Sequence, residues 1–380
     1  MGIQSTTGWI HERSPGTVEK GRYADVGKDL PEIPIPVMSD SKSYPLGKLP
    51  ADVLGRLLAR YAPTDPAVIV GPRVGEDVAV VAISSEHYLV AKSDPITFAT
   101  SEIGWYAVHV NANDVACSGA RPRWWMATVL LPEGRASGDL VERIFSQMGD
   151  ACDQLGAQLV GGHTEITYGL GRPLVVGTML GEVAAEDLIT TSGARPGDVL
   201  ILTKGIAVEG TAIIAREKGD DLARTLDTAL LHRSAAFLHK PGISVVQDAH
   251  TAMEAAPGRV HAMHDPTEGG LITGLHELAF ASGCGLEIHG DLIPVLPETR
   301  LICDTLGLDP LGLIASGSLL LAVAAEAAGD IIQALRSNGI RATEIGRMLA
   351  PGQESGIIRN GERRPLPVFA RDELARLFED

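Results

Sequence analysis

The chain has 380 residues, of which 45% are hydrophobic and 21% charged, and a formal net charge of −16. That length suits about two domains, and an acidic balance with no basic run excludes the electrostatic footprint of a nucleic-acid binder. No apolar stretch approaches the ~18 residues of a membrane span, no charged-then-apolar leader opens the chain, and Cys117, Cys152, Cys284 and Cys303 form no C-x-x-C pair, so a cytoplasmic protein with free thiols is expected.

Residues 1–46 are dominated by Gly, Pro, Ser and charge, and Pro31, Pro34 and Pro36 forbid a helix. They read as an extended arm that either lies across a partner subunit through Trp9 and Ile33 to Val37 or stays mobile. Order begins at Leu49-Pro50-Ala51-Asp52, where Val53, Leu54, Leu57, Leu58 and Tyr61 fall on one helical face. Val78 to Ile83 and Tyr88 to Ala91 read as two strands of a hairpin with Ser84-Ser85-Glu86-His87 as its turn. Gly104 to Gly119 reads as a helix rich in small residues, and Trp124 to Leu131 as a strand. Leu140, Val141, Ile144, Phe145, Met148, Cys152 and Leu155 recur at helical spacing. Strands at Gln158 to Val160 and Pro173 to Leu180 close a first half near Glu186. A second half runs from the strand Val199 to Thr203 through helices at Thr211 to Glu217, Thr225 to His239, Ile243 to Ala256 and Gly270 to Ser282. Strands Leu319 to Ala324, Ala342 to Arg347 and Gly356 to Arg359 complete it. The alternation predicts an α+β or α/β protein with an arm (1–46), an N-terminal domain (47–186), a C-terminal domain (187–350) and a strand and helix tail (351–380).

Four passages could carry chemistry. Glu76 and Asp77 sit at the mouth of the first hairpin strand and Asp94 follows the second, which places their carboxylates along one edge. Clustered acids stay ionised only beside cations, and hard oxygen ligands suit magnesium held between carboxylates and phosphates; solvated turn acids are the competing reading. Asn111-Ala112-Asn113-Asp114 sets an acid in an apolar helix, where it costs free energy unless paired, metal-bound or at the surface. Val160-Gly161-Gly162-His163-Thr164-Glu165 reads as a Gly turn able to bring backbone amides to a phosphate, or as a plain β-turn. His264-Asp265-Pro266-Thr267-Glu268-Gly269-Gly270 opens a helix, a natural anion site with Thr267 as its cap. His163, His261 and His264 match no recognised zinc spacing.

Taken in order, G-E-D-V-A-V, S-D-P, N-D-V-A-C-S-G-A-R-P, V-G-G-H-T-E and D-P-T-E-G-G-L resemble the ATP-binding superfamily of aminoimidazole ribonucleotide (AIR) synthase. Within it, L-G-K-L-P and L-G-L-D-P-L-G-L-I-A-S-G-S-L-L-L-A-V look most like the carbamoyl dehydratase branch of hydrogenase maturation. The resemblance implies a two-domain AIR synthase-like fold, with N-terminal halves joined as a dimeric β-barrel, a C-terminal α/β sandwich, and ATP with Mg2+ in clefts at the barrel edge. It implies Asp77, Asp94 and Asp114 as magnesium ligands. Lys48, Asn113, Gly161, Gly162, Thr164, Thr267, Gly269 and Gly270 would lie beside the nucleotide, and Asp265, His163 and Glu165 in the catalytic positions.

The chain departs from that branch at several points. The branch's C-terminal Cys, which carries the carbamoyl group, has no counterpart in R-D-E-L-A-R-L-F-E-D; its G-D-T-K is Gly162-His163-Thr164-Glu165; Ser316 replaces a Glu; Glu268 replaces an Arg of many relatives. The expectation is an ATP- and Mg-dependent enzyme that phosphorylates an amide or carbonyl oxygen of a small or carrier-bound substrate, without the self-modifying reaction. A small-molecule kinase resembling thiamine monophosphate kinase and a nucleotide-binding scaffold without turnover are the alternatives.

Overall fold

The computed structural model describes residues 44, 49–73, 75–97 and 101–377; Lys48 and, Tyr44 apart, the expected arm lie outside the described residues. Gly47–Asp380 forms one compact unit. Its first sheet comprises β1 (Val68–Val70), β2 (Ala79–Ala82), β3 (His87–Ile96), β4 (Arg121–Pro132), β5 (Gln158–Thr167) and β6 (Leu174–Ala184) in the order β1-β2-β3-β6-β4-β5. All neighbours are antiparallel except β4 and β5. Helix α1 (Ala51–Leu58) precedes this sheet, and α2 (Ile103–Cys117) and α3 (Gly138–Leu155) pack on one face of it.

Alternation decides the two faces. β6 reads half-buried, buried, half-buried along its whole length, as a sheet covered on one side should. Val90, Trp125, Val129, Val175 and Met179 point into the helical side and are buried. On the other side, Leu89, Trp124, Met126, Leu130, Leu174, Val176 and Leu180 share one layer by register and remain half-buried. β5 is exposed through nearly its full length, including Leu159, Val160 and Ile166.

The sequence expectations need two corrections here. β3 continues through Pro95 to Ile96, so Asp94 lies inside a strand rather than after it. The passage Val160 to Glu165 is no turn: pairing with β4 draws it into strand β5, where Gly161, Gly162, His163, Thr164 and Glu165 are exposed.

The second sheet holds β7 (Val199–Thr203), β8 (Val260–His264), β9 (Cys284–His289), β10 (Leu320–Val323), β11 (Ala342–Pro351), β12 (Gly356–Arg359) and β13 (Glu362–Pro365) in the order β13-β12-β9-β11-β7-β10-β8. The helices around it are α4 (Val208–Glu217), α5 (Gly219–Leu222), α6 (Thr228–Ala235), α7 (Val246–Ala255), α8 (Gly270–Ser282), α9 (Pro297–Leu306), α10 (Ala328–Ser337) and α11 (Glu373–Leu377). β10 is buried at every position because both faces are covered. Leu271, Leu275 and Leu278 of α8 pack on one side, Ala249 and Ala252 of α7 with Ile331 and Leu335 of α10 on the other. The result is an α+β architecture of two mixed sheets with helices. The four cysteines are free, as expected, and all four are buried; among the described residues no helix is long and apolar enough to cross a membrane.

Candidate active site

The sequence N-A-N-D on α2 works as three separate grips. Asn111 and Asp114, three apart on a helix, share a face, and that face meets β3. Asn111 Oδ1 accepts from the Asp94 amide at 2.8 Å while its Nδ2 donates to the Asp94 carbonyl at 3.3 Å and to Ala107 O at 2.9 Å, which clasps the strand at Asp94. Gly177, paired with Asp94 in register, permits the approach: a Cβ there would lie 1.8 Å from the Trp125 ring and 2.8 Å from Asn111 Nδ2. Asn113 faces the other way. Its Nδ2 donates to Ile243 O and its Oδ1 accepts from Val245 N, both at 2.8 Å, so its amide grips the frame behind the acids.

Asp114 reaches Lys92, two residues before Asp94 and therefore on the same strand face. Lys92 Nζ lies 2.9 Å from Asp114 Oδ2, 3.1 Å from Asp94 Oδ2 and 3.9 Å from Asp77 Oδ1. The three acids read from the sequence do converge, and they converge on an ammonium. Burial pulls the Lys92 pKa down, but Asp114, Asp77 and Asp94 outweigh it and hold the group charged, well above the ordinary lysine value. Asp114 is pushed up by burial against the opposing pull of Lys92, with Asp265 adding to the rise. Asp265 is raised to about 6 by burial, with a hydrogen bond from Asp114 opposing the shift.

Asp265 stands on the loop between β8 and α8. Its Oδ1 accepts from the Cys117 thiol at 3.7 Å and its Oδ2 is buried without a partner. Burial opposes protonation of the preceding His264, yet hydrogen bonds to Asp77 and Glu277 lift its pKa well above normal; Nδ1 lies 3.3 Å from Asp77 Oδ2 and Nε2 2.9 Å from Glu277 Oε2. Glu76, beside Asp77, turns away to accept from Ser192 Oγ at 3.1 Å and pairs with Arg73 at 3.0 Å. Lys92 and His264 thus thread the acids as two cations. Sequence reasoning missed Lys92, whose signal was its two-residue spacing from Asp94 within a strand.

Gly269 and Gly270 open α8 at φ 80° and 65°, where a side chain on Gly269 would strike Thr273 Oγ1 at 2.1 Å. Only glycine takes two successive left-handed turns this cheaply. Thr267 makes no side-chain cap; its carbonyl accepts from Gly270 N at 3.0 Å and Ala315 N at 3.3 Å. The Gly269 amide is taken by Asp372 Oδ2 at 2.6 Å, a carboxylate from the C-terminal segment raised to about 6 by burial.

His163 and Glu165 stand apart from this cluster. Register places them on the half-buried face opposite α2, where they hydrogen-bond to each other at 3.3 Å and are 67% and 53% exposed. Among the described residues no three His, Cys, Asp or Glu side chains are closed into a metal-chelating group, and Asp77, Asp94 and Asp114 are gathered around Lys92. Asp77 and Asp94 nevertheless keep 39% and 41% of their side chains open to solvent, Asp265 keeps one unpaired oxygen, and hard oxygen donors of this kind fit magnesium.

The family model of the AIR synthase related protein N-terminal domain matches residues 75–183 and that of its C-terminal domain residues 195–359. Carbamoyl dehydratase HypE of Cupriavidus necator is 33% identical over 80% of this chain and 86% of its own length. A crystal structure of the hydrogenase maturation protein HypE in complex with ATP superposes with a TM-score of 0.64 at 25% identity, covering 82% of this chain and 92% of that one. A HypE–HypF complex gives a TM-score of 0.67 at 21% identity over 83% and 99%. The chain belongs to the AIR synthase-related family of enzymes and has its fold.

Proposed function

We propose that the protein is an ATP- and magnesium-dependent enzyme that transfers the γ-phosphoryl group to an amide or carbonyl oxygen of a small or carrier-bound substrate. The observation that carries this reading is the convergence of Asp77, Asp94 and Asp114 on one point beside Asp265 and the glycine-opened helix α8. The likeness to an ATP-bound relative and to a carbamoyl dehydratase supports it.

Asp77 and Asp94 would hold the metal through their solvent-facing oxygens, with Asp114 behind them. Magnesium, when bound, neutralises charge on the triphosphate and leaves the transferred group more electrophilic. Lys92 fixes the three carboxylates in one place, so the site is organised before substrate arrives. Asp265, at the buried end, can accept the proton that an amide nitrogen sheds as its oxygen is phosphorylated. The Gly269 amide becomes available to a phosphate once Asp372 is displaced. Positioning and charge neutralisation carry most phosphoryl transfers.

The homodimer belongs to the same reading. A half-buried apolar sheet face carrying Trp124, Met126, Leu130 and Leu180, bordered by the exposed strand β5, suits pairing with the same face of a second copy into a closed barrel. That would bring His163 and Glu165 to the subunit seam.

Isothermal titration of ATP with and without magnesium tests the reading, followed by product analysis. Magnesium-dependent binding and release of free phosphate with a dehydrated or condensed product are expected. A stable phosphoester would make it a kinase; absence of magnesium-dependent binding would sink the proposal.

A further inference from the structure

The three acids expected to hold magnesium enclose an ammonium: Lys92 Nζ lies 2.9 Å from Asp114 Oδ2, 3.1 Å from Asp94 Oδ2 and 3.9 Å from Asp77 Oδ1. That spacing is set by nitrogen and oxygen. Magnesium draws its oxygens to about 2.0–2.1 Å and calcium to about 2.3–2.6 Å, so the same carboxylates would have to close in by roughly 1–2 Å to grip magnesium at the place of Lys92. The frame resists that movement. Lys92 pairs with Met179 and Asp94 with Gly177 in the ladder of β3 and β6, and Asn111 clasps the amide and carbonyl of Asp94. The ammonium is tethered there, unlike a dissociable ion, and its side chain is 10% exposed. A divalent ion entering the cluster would meet this fixed positive charge and a second one beside it, because both ring nitrogens of His264 face carboxylates, Asp77 Oδ2 at 3.3 Å and Glu277 Oε2 at 2.9 Å. Acceptor capacity remains for a cation if Lys92 is shortened: Asp265, held over α2 by the Cys117 thiol at 3.7 Å, keeps its Oδ2 buried without a partner.

We propose that Lys92 stands in the seat of one divalent cation, so that the free protein takes up no divalent metal and the site admits a single ion, the one that arrives on the phosphates of the nucleotide. The second half of this statement rests on the proposed phosphoryl transfer and sets the metal requirement of that site; the first half stands on the acid cluster alone. An ammonium offers a compact point charge on a flexible stem, which balances the acids before any ligand enters. Only the solvent-facing parts of Asp77 and Asp94, 39% and 41% exposed, are left for an incoming ion. Those two carboxylates, next to a fixed ammonium, need the negative phosphates of the nucleotide to complete the shell of a divalent ion.

The test uses the full chain with Mn2+ as probe, its free form counted by electron paramagnetic resonance. Without nucleotide, wild type is expected to take up no ion, and Lys92→Met to bind one at least ~10-fold more tightly than wild type, since removing a cation raises the net ligand charge of the cluster. Mn2+ should raise the melting temperature of Lys92→Met and leave that of wild type unchanged. Lys92→Arg, which keeps the charge, should gain no site. Uptake by wild type without nucleotide, or a folded Lys92→Met that gains neither an ion nor a rise in melting temperature, would overturn the proposal. Should Lys92→Met not fold, wild type decides alone: with a non-hydrolysable ATP analogue one Mn2+ per chain supports the proposal and two contradict it. Failure of the analogue to bind with any metal removes the phosphoryl-transfer reading, while a Mn2+ site gained by Lys92→Met without nucleotide still assigns the seat to Lys92.

Discussion

Replacing Lys92 with methionine keeps the bulk of the side chain and removes the charge on which Asp77, Asp94 and Asp114 converge. Lys92 is 10% exposed and Asp114 5%, so that limb is a buried ion pair, and stripping one partner from such a pair costs about 3–5 kcal/mol. The limbs to Asp77 and Asp94 end on carboxylates that are 39% and 41% exposed; solvent screening leaves each worth under about 1 kcal/mol. Asp114 can escape its loss by taking a proton. Its ordinary value is 3.8, so that proton costs about 2 kcal/mol at pH 5 and about 6 kcal/mol at pH 8. The sign follows from linkage: an acid whose folded pKa is raised contributes stability below its unfolded value and loses it as pH rises. Urea unfolding should therefore show Lys92→Met destabilised by about 2 kcal/mol or less at pH 5 and about 3–5 kcal/mol at pH 8. A loss below about 1 kcal/mol at pH 8, or one equal at both pH values, refutes the claim that the ammonium organises the acids.

Three further outcomes are expected. Asp372→Ala removes the acceptor for the Gly269 amide at 2.6 Å and the Leu374 amide at 2.7 Å; it should cost about 1–2 kcal/mol in urea unfolding and speed amide hydrogen exchange at the start of α8, and unchanged exchange there would contradict the cap. Gly177→Ala drives a methyl into Trp125 and Asn111; it should destabilise by about 3 kcal/mol or more and weaken magnesium–ATP binding by loosening Asp94, while a neutral effect on melting temperature would show that the contact relaxes. Met126→Lys places a charge in the open apolar layer of the first sheet; sedimentation should shift from dimer to monomer, and an unchanged dimer would move the interface elsewhere.

Much of the fold was legible because its elements obey simple periods. Helix α8 begins and ends where the glycines at 269, 270 and 283 stand, and the apolar repeat from Leu140 marks α3. The convergence of the acids was legible too, since the hairpin and N-A-N-D each place a carboxylate where it needs a partner. The partner was not. Lys92 sits in V-A-K-S-D-P, where a single charge in a short strand looks like solvent decoration until α2 is folded over it. Val160 to Glu165 misled for the opposite reason: two glycines signal a turn locally, but β4 offers a ladder of hydrogen bonds that overrides propensity. β9, with Gly285 and a charge in six residues, carries too little alternation to stand out, and it forms because β11 and β12 flank it. Glu209 escaped notice because V-E-G-T reads as the solvated first turn of a helix, whereas the fold leaves it 4% exposed.

Asn113 imitates a passing strand, offering one donor and one acceptor to the backbone at Ile243 and Val245. It therefore ties the helix behind the acids to the stretch leading into α7, so that a shift of α7 is felt at the helix that bears Asp114.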